Sequence, residues 1–164
     1  MITIWTDGSC QYNPGPGGWC AVIAMHEGAS EQDIAMMAEI EHGLGLHEAN
    51  PVITYVGPGQ IARTKILVGS DPETTNNRME MTAIIEAIES FNRHAEVTII
   101  SDSKYAIQVL SGMWKAKQNR DLLARWLRSS DGFKITWRHV PGHSGYPVNE
   151  LCDRLAKEAV SGES

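Results

Sequence analysis

Apolar positions along the chain follow two periods, and the switches between them outline the elements. Ile2 to Thr6 is a short run of β-branched and aromatic residues and predicts a strand. Trp19 to Met25, apolar on both faces, predicts a second strand, and Thr64 to Gly69 a third. Glu96 to Ser101 has the continuous apolar centre Val97-Thr98-Ile99-Ile100, which suits a central strand covered on both sides. Lys134 to Val140 predicts the last strand. Helical spacing takes over elsewhere. From Met79 to Phe91, the residues Ala83, Ile84, Ala87, Ile88 and Phe91 form one stripe. Lys104 to Met113 and Asp121 to Arg128 predict two further helices. In a final helix, about Val148 to Val160, the buried stripe is Val148, Leu151, Cys152, Leu155, Ala156 and Ala159.

Turn residues punctuate these elements. Asp7-Gly8-Ser9 closes the first strand, and Asn13-Pro14-Gly15-Pro16-Gly17-Gly18 is a turn-dense loop. Ser70-Asp71-Pro72-Glu73 reads as a turn before the Met79 helix. Residues 26–61 differ in character. Ser30-Glu31-Gln32-Asp33 resembles a capping box, Ile34 to Glu41 a short helix, and Val52 to Val56 a short strand. Gly43, Gly45, Asn50-Pro51 and Gly57-Pro58-Gly59 break the segment repeatedly. Too short for a core of its own, it reads as an insertion between the second and third strands of a single domain spanning 1–164. The class is α/β.

Composition narrows this little: 164 residues at 42% hydrophobic suit one domain with a real core. No apolar run approaches the ~20 residues that span a bilayer, and the chain enters a strand at once, without a signal peptide. Cys10, Cys20 and Cys152 are odd in number and lack C-x-x-C spacing, which points to reduced thiols and a cytoplasmic protein. Charge changes the picture more. The formal net charge of −6 argues at first against nucleic acid. Residues 1–62, however, hold seven acids and no Lys or Arg, whereas all fourteen basic residues lie in 63–164 with thirteen acids, a net of +1. A polyanion could still meet a local basic face.

Some acids do not fit the pattern. Glu80 falls at the centre of the apolar stripe, one turn before Ile84, and a buried carboxylate needs a partner. It is a core acid paired to Arg, a carboxylate facing the helix dipole, or a metal ligand; position alone leaves all three open. Asp102 stands where a predicted central strand ends and a helix begins, the edge at which α/β sheets bind ligands. Helix capping by Asp102 or Ser103 would explain the same residues. Asp7 is either turn chemistry or a carboxylate held rigidly at a strand end. Asp153 lies off its helix's apolar stripe beside Asn149 and Lys157, so periodicity makes it a solvated surface acid.

Four segments, in order, resemble the type 1 ribonuclease H family. They are Thr6-Asp7-Gly8-Ser9-Cys10 with Asn13 to Gly18; Thr75-Asn76-Asn77-Arg78-Met79-Glu80; Ser101-Asp102-Ser103-Lys104-Tyr105; and Val140-Pro141-Gly142-His143-Ser144-Gly145 with Asn149-Glu150-Leu151-Cys152-Asp153. The resemblance implies a mixed five-stranded sheet in the order 3-2-1-4-5 with helices on both faces. It implies an endoribonuclease that hydrolyses the RNA strand of RNA/DNA hybrids and leaves 5'-phosphate and 3'-hydroxyl ends. Asp7, Glu80, Asp102 and Asp153 match the family's four carboxylates, which hold two Mg2+ ions, with Mn2+ as a substitute. That overturns the surface reading of Asp153 and resolves Glu80. By the same resemblance His143 assists proton transfer or product release. Asn13, Asn76 and Gln108 match readers of the hybrid's minor groove, and Thr75 matches part of a DNA-phosphate pocket. The substrate partner is the hybrid; no membrane is involved, and a monomer is expected.

The chain also departs from the family pattern. Only Trp114 to Arg120 stands where bacterial members often carry a long basic handle, and Glu73 precedes Thr75 where many carry a basic residue. Phosphate contacts dominate affinity and its salt dependence. Binding to hybrid is therefore expected to be weaker than in handle-bearing relatives, with a shallower slope of log K against log salt; an equal slope would contradict this. Two other functions remain open at this stage: a DNA-acting relative such as a transposase or junction resolvase, and a non-catalytic hybrid-binding module. The Gly-His loop disfavours the first, and the intact set of mutually repelling acids disfavours the second.

Overall fold

Strand order positions everything that follows. In the computed structural model, which describes residues 1–43 and 60–160, one sheet runs β3-β2-β1-β4-β5. Here β1 is Ile2–Cys10, β2 Gly15–Glu27, β3 Gln60–Thr74, β4 Glu96–Ser101 and β5 Lys134–His139. The first three pair antiparallel and β1-β4-β5 pair parallel, so the sheet is mixed, in the order expected. The helices are α1 (Glu31–Gly43), α2 (Asn76–Glu89), α3 (Lys104–Leu110), α4 (Arg120–Ser129) and α5 (Pro147–Val160).

Strand alternation sends side chains to two separate cores. On one face, Ile4, Ile23 and Ile99 pack with Ile84, Ile85 and Ile88 of α2, Val109 of α3 and Trp126 of α4. On the other, Trp5, Val22, Ile66 and Ile100 pack with Ile34 and Met37 of α1 and Leu151, Cys152 and Leu155 of α5. Each helix thus covers the sheet with the stripe its sequence marks out.

Two predicted turns, and Gly15 to Gly18 of the predicted turn-dense loop, are strand instead. Asp7-Gly8-Ser9 continues β1, with Asp7 opposite Cys20 and Cys10 opposite Gly17. Ser70 and Asp71 continue β3, paired with Gly18 and Gly17. Turn propensity is local, and the ladder with β2 overrides it in both places. Helix α3 ends at Leu110, before the expected Met113, and Gly112 beyond it takes a positive φ of 85°. The short helix expected at 34–41 is α1, longer at both ends. The strand expected over 52–56 lies outside the described residues. All three cysteines are unpaired thiols.

Candidate active site

The parallel ladder of β1 with β4 ends at Thr6 opposite Ser101. It so places Asp7, which lies inside β1 rather than at a turn or strand end, beside Asp102 just past the end of β4. Helix α2 supplies the third acid. Its first turn approaches β1 at Gly8, where a Cβ would sit 2.5 Å from Glu80 N and 2.6 Å from Met79 C. Only glycine permits that approach. Thr75 caps the helix, its Oγ1 accepting from Arg78 N at 3.2 Å. Ser103 caps α3 through Ala106 N at 3.0 Å, which frees Asp102 from capping. The capping reading of that dipeptide belongs to Ser103.

Asp7, Glu80 and Asp102 each offer a carboxylate oxygen within 4.8 Å of the other two. Asp7 is 3% exposed and Glu80 8%. Asp7 Oδ1 accepts from Gly8 N at 2.9 Å, but Asp7 Oδ2 and Glu80 Oε1 are buried without a hydrogen-bond donor. Burial first, then the neighbouring Asp102 and Asp153, push the Asp7 carboxyl up to about 8. Burial and the charges of Asp7 and Asp102 likewise push Glu80 well above the ordinary carboxylate range. Asp7 and Glu80, each with an orphaned buried oxygen, and the half-buried Asp102 beside them make no salt bridge to a base among the described residues, which leaves an incomplete electrostatic arrangement. A hard divalent cation with oxygen ligands fits it: it would take up the orphaned lone pairs and relieve the repulsion.

Asp153 stands outside that triad of oxygens but close enough for its charge to bear on Asp7. Its side chain is partly buried, and Oδ2 accepts from Lys157 Nζ at 3.0 Å. The fully solvated position expected from periodicity is corrected accordingly: α5 lies against β1, and this side chain is partly buried within reach of Asp7. His143 is exposed on the loop before α5, with a positive φ of 54°. That loop lies against Asp102, since a Cβ on Gly142 would be 3.0 Å from Asp102 Oδ2. A groove between α1 and α5 is lined by His143, Asp153, Glu150, Arg154, Glu39 and Gln32.

The other predicted residues flank this centre. Asn13 Oδ1 accepts from Asn76 N at 2.9 Å, which joins the β1–β2 loop to the start of α2. Asn76 is exposed, and Thr75 is half-buried at its cap. Gln108 on α3 is not the solvated residue its spacing allows; its Oε1 is buried without a donor. Sequence reasoning missed the network that ties these pieces together. Arg78 donates to both oxygens of Asp121, at 2.9 and 2.7 Å, and to Asn119 Oδ1 at 3.2 Å. Asn119 Nδ2 donates to Tyr105 OH at 3.0 Å. It also missed Asn149, buried one turn before Asp153 with Oδ1 unpartnered. No local signal marks these contacts, because each partner lies on another element.

Comparison with known proteins agrees with this geometry. The family model for RNase H matches residues 1–161. Ribonuclease H of Polaromonas sp. strain JS666 is 36% identical over 98% of this chain and 88% of its own length. That of Erythrobacter litoralis is 33% identical over 99% and 98%. Among solved structures, RNase H1 of the halophilic archaeon Halobacterium salinarum shares the fold at a TM-score of 0.65 and 23% identity, covering 98% of both chains. LC11-RNase H1, solved in complex with an RNA/DNA hybrid, shares it at 0.65 and 21% identity, covering 99% of this chain and 98% of that one. Strand order, an acidic centre where the β1–β4 ladder ends, and relatives aligned along nearly the whole sequence lead to one conclusion: the chain belongs to the ribonuclease H family.

Proposed function

We propose that this enzyme hydrolyses the RNA strand of RNA/DNA hybrids at Asp7, Glu80, Asp102 and Asp153, leaving 5'-phosphate and 3'-hydroxyl ends. The observation that carries the reading is the cluster of three carboxylates where the β1–β4 ladder ends, two of them buried with an unsatisfied oxygen each. The four acids would hold two Mg2+ ions, or Mn2+ in their place. Bound there, such ions supply Lewis acidity at the scissile phosphate and favour ionisation of the attacking water. The chain's own part is placement. Asp7, held on a central strand close to Glu80 and Asp102 and within reach of the Asp153 charge, would be shared by both ions, with Glu80 and Asp102 completing one site and Asp153 the other.

Substrate choice falls to the surface around the centre. A hybrid is told from duplex DNA by the 2'-hydroxyls of its RNA strand, which an A-like minor groove displays. Asn13, Asn76 and Gln108 face this task with amide groups, and Thr75 stands where a phosphate of the DNA strand would meet the start of α2. Among the described residues no helix is long and apolar enough to cross a membrane. The unpaired thiols support a cytoplasmic enzyme, which we read as a monomer.

One assay tests the whole reading. Labelled hybrid, duplex DNA and single-stranded RNA are each incubated with Mg2+, Mn2+ or a chelator. Cleavage of the hybrid's RNA strand alone, lost in chelator, is expected; cleavage of duplex DNA, or activity without metal, overturns it. His143 adds a second expectation. On an exposed loop beside Asp102 and Asp153 it serves as a proton carrier rather than a ligand. His143→Ala is expected to lower kcat by about 10- to 100-fold and to leave KM unchanged. A fall as deep as that of a ligand variant would place the ring among the metal-holding groups instead.

A further inference from the structure

Helix α1 carries four acids and no lysine or arginine, yet it is not a solvated acidic face. Glu41 is completely buried, and its carboxylate accepts from Thr64 Oγ1 at 2.8 Å and Ile66 N at 3.2 Å on the edge strand β3. Glu39 pairs with Arg154 of α5 at 2.5 Å, and Arg154 also reaches Glu158 at 3.6 Å. Glu31 bridges two elements at once. It accepts from Trp5 Nε1 of β1 at 3.1 Å, and the backbone N–H of Val148, in the first turn of α5, lies near enough to favour its ionised form. Trp5 is two residues before Asp7 on the same face of β1, and Arg154 follows Asp153 directly. The strand and the helix that carry these two acids are therefore tied together through α1 at two points.

Helix geometry shows why such ties matter. A side chain reaches about 6 Å from the helix axis, so a rotation of α5 by about 20° would move a carboxylate by about 2 Å. Catalytic constellations tolerate only about 0.5 Å. We propose that α1 braces the catalytic centre: by joining β1 to the start of α5, Glu31 acts as a positioning residue that holds Asp153 at its working distance from Asp7. The proposal rests on reading Asp7 and Asp153 as metal ligands. It gives the segment between β2 and β3 a role inside the enzyme rather than at the substrate, in keeping with its lack of basic residues.

The test is calorimetric titration of the folded protein with Mn2+, beside the Mg2+ dependence of hybrid cleavage. Glu31→Ala is expected to weaken metal binding about tenfold in both measurements, while KM for hybrid at saturating metal stays unchanged. Glu31→Gln, which keeps an oxygen for the Trp5 N–H, is expected to recover most of the loss. Ile88→Val, in the core on the opposite face of the sheet, lowers Tm without moving metal affinity. If Glu31→Ala does not fold, the surface variant Glu39→Ala decides, with an expected shift of about two- to threefold in the same direction. Metal binding like wild type in these variants, or a loss matched by Ile88→Val, overturns the brace. Asp153→Asn serves as the reference. If it leaves metal affinity intact, the ligand reading itself fails; if it weakens binding and Glu31→Ala does not, only the brace fails.

Discussion

Asp7→Asn is expected to abolish cleavage of hybrid, by at least about a thousandfold, while making the metal-free protein more stable. The two effects have one cause. Asp7 is buried on a central strand with Asp102, Glu80 and Asp153 around it, and its carboxyl is pushed up to about 8. Asparagine has nearly the same shape and keeps an oxygen for Gly8 N–H, so β1 has no reason to move. What disappears is the charge that repels the other acids, and with it the oxygen left without a donor. Activity on hybrid and thermal melting in chelator at pH 8 check both halves. Activity within tenfold of wild type would remove the metal mechanism. A lower Tm would show that the charge on Asp7 is compensated in a way the geometry does not reveal.

The sequence displays most of this fold because the strands declare themselves. Val97 to Ile100 is apolar on both faces, as a central strand between two helical layers must be, and the stripe through Ala83, Ile84 and Ile88 marks the face that α2 buries. Glu80 is legible for the same reason: an acid inside an apolar stripe is an anomaly visible at the level of spacing. Asp153 is illegible by that route. Its environment is set by β1, which is remote in sequence, so only the motif around it gave it a role. The turn dipeptides at Asp7-Gly8 and Ser70-Asp71 mislead because a local preference loses to a ladder that spacing cannot reveal. Glu31, Glu39 and Glu41 look like solvated acids of a polar insertion. Thr64, Ile66, Trp5 and Arg154, which bind them, come from three other elements.

Saturating Mg2+ is expected to raise Tm, and to raise it more at pH 8 than at pH 5. Asp7 and Glu80 have folded pKa values above their ordinary ones. Groups shifted in that direction contribute stability that is fully present below the ordinary carboxylate value, near 4, and lost as pH rises through the folded value, about 8 for Asp7. The metal-free protein is therefore expected to melt at a lower temperature at pH 8 than at pH 5, as the buried acids are forced to ionise together. A divalent cation reverses the trend, because it binds the ionised acids and must compete with protons at the lower pH. At metal concentrations about 100 times Kd the gain is about 2.7 kcal/mol, or about 5–10 °C for a domain of this size. Scanning calorimetry across this pH range, with Mg2+ and with chelator, gives the measurement. Asp7→Asn supplies the internal control, since it removes the buried carboxylate at the centre of the proposed site and is expected to flatten both the pH trend and the response to metal. A wild-type Tm that does not rise with metal at pH 8 would mean that the acids where the β1–β4 ladder ends are not a cation site.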